Sequence, residues 1–218
     1  MANRKFVSFA LLLAFIACRQ SSNTDRKLVI DYSGMEPQVA KKIQMLEQAA
    51  GKNPNDAGTW GKLGMTLDVH GLNEQSIVCY QKAANLSPND FRWTYYCAIA
   101  LKENGSPETI PWFEKAIKLK PDYVPQQIRY ARALFDSGHL KESETQFQQA
   151  LKLNPQAAEA YVGLAQVAMS QNNIQNAKNL AEAAVKINSQ QSEAYSLLAI
   201  IYRRLNNPSQ AELILARL

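Results

Sequence analysis

From residue 36 onward, apolar and small residues recur at i, i+3 and i+4, the spacing of one buried helix face, in blocks separated by two alternating kinds of punctuation. The first is proline: Pro54, Pro88, Pro121 and Pro155 are spaced by 34, 33 and 34 residues, and Ser189 falls 34 further on. The second is a column of Gly71, Gly105, Gly138, Asn172 and Asn206, the residue types that most readily take a positive φ at a turn. The pattern therefore predicts repeated units of helix, tight turn, helix and proline turn.

Between these marks, side-chain size repeats in register. Small residues stand where helices must cross closely: Gly64, Ala98, Ala131, Ala165 and Ala199 on the first helix of each unit. On the second helix the small columns are Ser76, Thr109, Ser143, Ala177 and Ala211, and Ala83, Ala116, Ala150 and Ala184. Bulk fills the space opposite, with Leu63, Cys97, Tyr130, Leu164 and Leu198 on first helices and Tyr80, Phe113, Phe147 and Leu215 on second helices. Bulk against small at a period near 34 resembles the tetratricopeptide repeat (TPR), and the resemblance runs from Met35 to Leu218. The first unit carries it most fully, in Trp60, Leu63, Gly64, Leu67, Gly71, Tyr80, Ala83 and Pro88.

The resemblance implies an all-α fold, an α-α superhelix or TPR solenoid of antiparallel helix pairs. Its array is expected over 54–218, in units 57–90, 91–123, 124–157, 158–191 and 192–218, preceded by a lone capping helix within 36–53. Asp56 and Asp90 stand where a helix N-cap acceptor is wanted. The second unit is one residue short near Ser106-Pro107-Glu108, and a helix start at Thr109 is predicted because it keeps Pro111 out of the hydrogen-bonded interior. In the last unit Asn207-Pro208 opens a helix whose Leu213, Ile214, Leu215 and Leu218 have no following repeat. Either they meet a partner or a second copy, giving self-association through the C-terminal helix, or they turn inward on their own unit.

Composition narrows the function. A 46% hydrophobic content permits extensive burial, which a repeat array shares between neighbours. Net charge is +5, and 22 basic against 19 acidic residues remain once Arg4 and Lys5 are set aside, a balance of +3. The charges are scattered, without the basic stripe of a nucleic-acid surface, so no nucleic-acid partner is expected.

Residues 1–17 read as a signal peptide: a basic start at Arg4 and Lys5, then an apolar run from Phe6 to Ala17, too short to span a bilayer. Phe15-Ile16-Ala17-Cys18 resembles a bacterial lipobox, which implies lipidation at Cys18 and a membrane contact through the lipid anchor. Arg19 after the cysteine resembles the outer-membrane sorting pattern, implying an anchored protein facing the periplasm if the host is Gram-negative. Residues 18–35 then form the lipidated end and a tether, whose run Leu28-Val29-Ile30 either packs on the first helix, the expected choice, or lies in the groove.

Catalytic constellations are missing from the sequence. Gly58, Gly61 and Lys62 fail the phosphate-loop frame at Asp56 and Leu63. His70 and His139 fall in turns of different units, so no catalytic site, metal site or cofactor is expected and the protein is read as not an enzyme. Cys79 and Cys97 either bridge two units or are buried thiols; Cys97 occupies a bulky core column, which favours burial.

In TPR proteins the first helices line the concave face and contact partners at fixed columns. Carried onto this chain, the resemblance implies a groove of Met65, Val69, Tyr95, Ile99 and Lys102, then Ile128, Arg129, Arg132 and Phe135, then Val162, Gln166, Met169, Ile200, Arg203 and Arg204. An apolar face with interleaved arginines suits a protein or peptide partner offering apolar anchors and carboxylates. Gly61 and Met65 stand where relatives that clamp a terminal carboxylate carry Lys and Asn, which argues against that subtype. The function implied is a non-enzymatic adaptor or scaffold lipoprotein in a cell-envelope assembly, of the kind that serves pilus secretins or peptidoglycan hydrolases. The alternative is the substrate-recognition arm of an enzyme system whose catalytic part lies on another chain.

Overall fold

The computed structural model describes residues 28–217. The signal segment, Cys18, the first part of the tether and Leu218 lie outside the described residues. Among the described residues all regular structure is helical: α1 Pro37–Lys52, α2 Ala57–Val69, α3 Asn73–Leu86, α4 Phe91–Glu103, α5 Thr109–Leu119, α6 Val124–Asp136, α7 Leu140–Leu153, α8 Ala158–Ser170, α9 Ile174–Ile187, α10 Ser192–Arg204 and α11 Pro208–Leu215. After the lone α1, the helices pair as α2–α3, α4–α5, α6–α7, α8–α9 and α10–α11, which form units 1 to 5 in chain order. This is the α-α superhelix expected of the repeat.

Each hairpin is closed by the same chemistry. Gly71, Gly105, Gly138, Asn172 and Asn206 all have positive φ, between 54° and 80°. In unit 1 the Gly71 N–H donates to Asp68 O at 2.9 Å and the Leu72 N–H to Leu67 O at 3.0 Å, the paired bonds of a Schellman motif. The equivalent pair recurs at Gly105, Gly138, Asn172 and Asn206. Of the five turns that lead into the units, the first of them from α1, four carry an i to i+3 bond, as from Asp56 N to Asn53 O and from Asp90 N to Ser87 O, with Pro at the second turn position in three of them. Asp56 accepts from the N–H groups of Gly58 and Thr59 and Asp90 from that of Arg92, so the predicted N-caps are in place. Those bonds, led by the Thr59 hydroxyl for Asp56 and the Arg92 guanidinium for Asp90, hold both carboxyls below their ordinary range.

Helix α5 begins at Thr109, which puts Pro111 at the third helical position, where no intrahelical donor is needed. Helix α6 has no acidic cap. Instead the buried carboxamides of Gln126 and Gln127 donate to the carbonyls of Lys120 and Pro121 at 3.0 and 2.8 Å, satisfying the end of α5 and the turn that follows.

The small columns are the close crossings. Ala98, Ala131, Ala165, Ala83, Ala116, Ala150 and Ala184 are all fully buried. Where the column holds a hydroxyl it is satisfied locally, as with Ser143 Oγ donating to Ala131 O at 2.8 Å. Leu28, Ile30, Tyr32 and Met35 pack on the cluster of Ile43, Leu63 and Leu67. The Tyr32 hydroxyl donates to Glu47 Oε2 at 2.6 Å and Gln75 Nε2 to Val29 O at 3.3 Å, so the apolar run lies against α1 and reaches α3. At the other end Ile214 turns onto the core shared by units 4 and 5 while Leu213 stays 51% exposed.

Candidate functional site

Curvature comes from which helices touch. First helices meet across successive units, α4 with α6, α6 with α8 and α8 with α10, whereas no comparable contact joins successive second helices among the described residues. First helices are therefore crowded on an inner wall and second helices spread on an outer one. One inner-wall column holds Met65, Ile99, Arg132, Gln166 and Ile200, one residue per unit. Met65 and Ile200 are 42% and 48% exposed, so large apolar side chains face solvent there. A turn further along lie Lys102, Phe135, Met169 and Arg203, with Val69 and Arg204 exposed at the helix ends.

Three of the expected groove residues stand outside the exposed inner-wall column. Tyr95, Ile128 and Val162 share the register of Gly61, and all three are buried, Val162 completely. The reason is visible at Gly61, where an added Cβ would meet the Trp93 ring at 2.2 Å: this column packs against the next first helix rather than lining the groove. Val162 belongs to the core with Leu197, Leu198 and Ile201, Tyr95 to the one around Phe113, and Ile128 to the one around Phe147, from which it also lines a cavity.

The groove's cations are also less available than their number suggests. Lys102 Nζ lies 2.9 Å from Asp136. Arg132 reaches across unit 4 to Glu193, with Nη1 to Oε1 at 3.1 Å and Nη2 to Oε2 at 3.2 Å, and Gln166 Nε2 donates to the same Oε1 at 3.1 Å. Arg129 stands exposed beside Tyr95, whose phenol burial pushes up to about 12. Glu193 and Asp136 are the groove residues that reading the sequence missed. A signal existed for Glu193: it lies 34 residues after Glu159, in the same column and likewise in the first turn of a first helix.

Arg132 and Glu193 also line a cavity of about 750 Å³ between units 3, 4 and 5. Val124, Ile128 and Ile187 contribute its apolar surface, and Asn154, Asn188 and Gln191 its amides. Among the described residues no cluster of His, Cys, Asp and Glu is arranged to hold a metal ion. His70 and His139 are exposed in turns.

Cys79 and Cys97 are unbridged, and each is fully buried. Burial pushes the Cys79 thiol up to about 12 and that of Cys97 well above its ordinary value. Both are therefore protonated and shielded at neutral pH, and neither is a nucleophile in the folded chain. In a Cys18→Ser chain without reductant, a thiol reagent is expected to titrate two groups after denaturation and none on the same timescale before it. A bridged pair would give no thiol in either state.

Comparison with known proteins agrees with this geometry. The sequence profile of the middle TPR-like domain of cilia and flagella-associated protein 70 matches residues 126–217. A search of curated protein sequences finds no match. Among solved structures, MamA residues 41 to end from Desulfovibrio magneticus RS-1 superposes with a TM-score of 0.67 at 18% identity, over 74% of this chain and 92% of that one. Pseudomonas aeruginosa PilF gives 0.66 at 17% identity, over 77% and 76% of the two chains. YrrB, described as a TPR protein with an unusual peptide-binding site, gives 0.62 at 18% identity, over 80% and 91%. With the turn chemistry and the buried small columns, these likenesses show that the described part of the chain has the fold of a TPR solenoid, within which residues 126–217 match the profile of a TPR-like domain.

Proposed function

We propose that this protein is a non-enzymatic adaptor that holds a protein or peptide partner along the inner wall of its superhelix, anchored to a bacterial envelope membrane through a lipid on Cys18. The observation that carries the reading is the inner-wall column itself. Met65 and Ile200 expose apolar surface that the fold does not use, with Arg129, Arg203 and Arg204 exposed around it. Apolar anchors flanked by charge are what an extended or helical peptide requires of a groove. The description of YrrB, a TPR protein with an unusual peptide-binding site, supports a peptide as the ligand. The lipobox-like Phe15-Ile16-Ala17-Cys18 supports placement at the membrane, and pilus-secretin assembly or peptidoglycan-hydrolase scaffolding are envelope roles that fit.

Photo-crosslinking residues placed at Met65 or Ile200 in the native host are expected to give a discrete adduct that is missing when the label sits at Lys82 or Gln148, which are exposed on second helices. Adducts of equal yield from both walls, or none from the inner wall, would overturn the groove. In the same cells Cys18→Ala is expected to move the protein into the soluble fraction, and full membrane retention of that variant would remove the lipid anchor.

A further inference from the structure

The cavity between units 3, 4 and 5 is lined by four charged side chains, Arg129, Arg132, Glu159 and Glu193. Two of them cancel, because Glu193 fills the Arg132 fork with both oxygens and is held there by Gln166. The remaining two have opposite sign. Arg129 on α6 and Glu159 in the first turn of α8 have no ion-pair partner among the described residues.

Resting on the groove proposed for partner binding, we infer that this cavity selects a peptide segment of mixed charge, an apolar side chain flanked by one carboxylate and one cation, and that Glu193 and Glu159 together set this specificity. A partner acid aimed at Arg132 must first displace Glu193, so the pair gained is offset by the pair lost. A second acid would also face Glu159, and an all-basic segment would face Arg129; like charges brought together across an interface oppose binding. Only a segment with one charge of each sign gains at both places. Its apolar side chain has Val124, Ile128 and Ile187 to rest on, in a cavity whose volume of about 750 Å³ suits a short stretch of side chains. The sequence alone suggested a partner rich in carboxylates; Glu159 and Glu193 change that expectation.

The test uses the full chain in detergent and three pools of short synthetic peptides with identical randomised apolar centres, flanked by acid and acid, base and base, or acid and base in either order. Fluorescence anisotropy is expected to show a mixed pool binding about tenfold more tightly than either uniform pool, a difference of roughly 1.4 kcal/mol. Glu193→Gln should release Arg132 and raise the affinity of the acid-flanked pool several-fold, while Glu159→Gln should abolish the preference for a cation. Acid-flanked peptides that bind the unaltered chain as tightly as mixed ones, with Glu193→Gln making no difference, would overturn the charge assignment and leave the groove standing. If no pool binds the folded chain, the groove reading itself fails, and this inference with it.

Discussion

Gly163→Ala is expected to lower the stability of the array by about 1–3 kcal/mol, the range of an overpacked core. The sign is the informative part. At an unconstrained helix position the same change stabilises by up to ~1 kcal/mol, because glycine is the poorer helix former. Gly163 lies inside α8, and a Cβ built there would meet the Phe147 ring carbons at 2.1 to 2.5 Å, far inside any real contact. The ring cannot retreat, since Phe147 is fully buried among Ala131, Ala150, Ala160, Leu164 and Val167. Steric displacement therefore exceeds the gain in helix propensity. Urea denaturation checks the direction, and combining the change with Phe147→Leu should recover part of the loss, as coupled neighbours do in a double-mutant cycle. A stabilised Gly163→Ala chain would show that α7 and α8 do not approach this closely. Gly61 against Trp93 is the same device at the junction of units 1 and 2.

Phe113→Ala is expected to be costlier, about 3–5 kcal/mol, because it removes a whole buried ring. Phe113 is fully buried, with the rings of Tyr95 and Tyr130 at 6.4 and 6.0 Å, so one side chain on α5 joins α4 to α6. Repeat arrays couple chiefly nearest neighbours, so a defect in unit 2 divides the chain instead of weakening it evenly. Hydrogen exchange should accelerate over α4, α5 and α6 and stay slow over α8 and α10, and denaturation should separate into two transitions. A uniform rise in exchange over all units would mean that the array behaves as one cooperative block, contrary to the packing described.

Features that depend on neighbours in sequence were legible before any coordinates. A Gly or Asn in the left-handed region, a proline turn and an aspartate one residue ahead of a helix are local requirements, and Gly138, Pro88 and Asp56 meet them. The helix start at Thr109 followed from the same kind of reasoning, since proline tolerates only the first turn. The inner wall was legible by column but not in detail. Met65, Ile99, Arg132, Gln166 and Ile200 could be aligned by period, and so could Gly61, Tyr95, Ile128 and Val162. Which column faces the groove depends on how far each unit is rotated against the next, and a one-dimensional period carries no such angle.

The Arg132–Glu193 pair makes the point for charge. The two residues are 61 apart and sit in units 3 and 5, with all of unit 4 between them. Only the curvature of the superhelix brings them within 3.1 Å, so an arginine counted as open to a partner was already engaged. The order of residues alone specifies the all-helical repeat, its period, its turns and the burial of its small columns, because each is enforced within one hairpin or between adjacent ones. Packing in three dimensions settles which side chains the groove presents, which of its charges remain uncompensated and how the segment from Leu28 to Met35 lies against α1. Those are properties of the angle between units, which accumulates along the array from packing that no single unit contains.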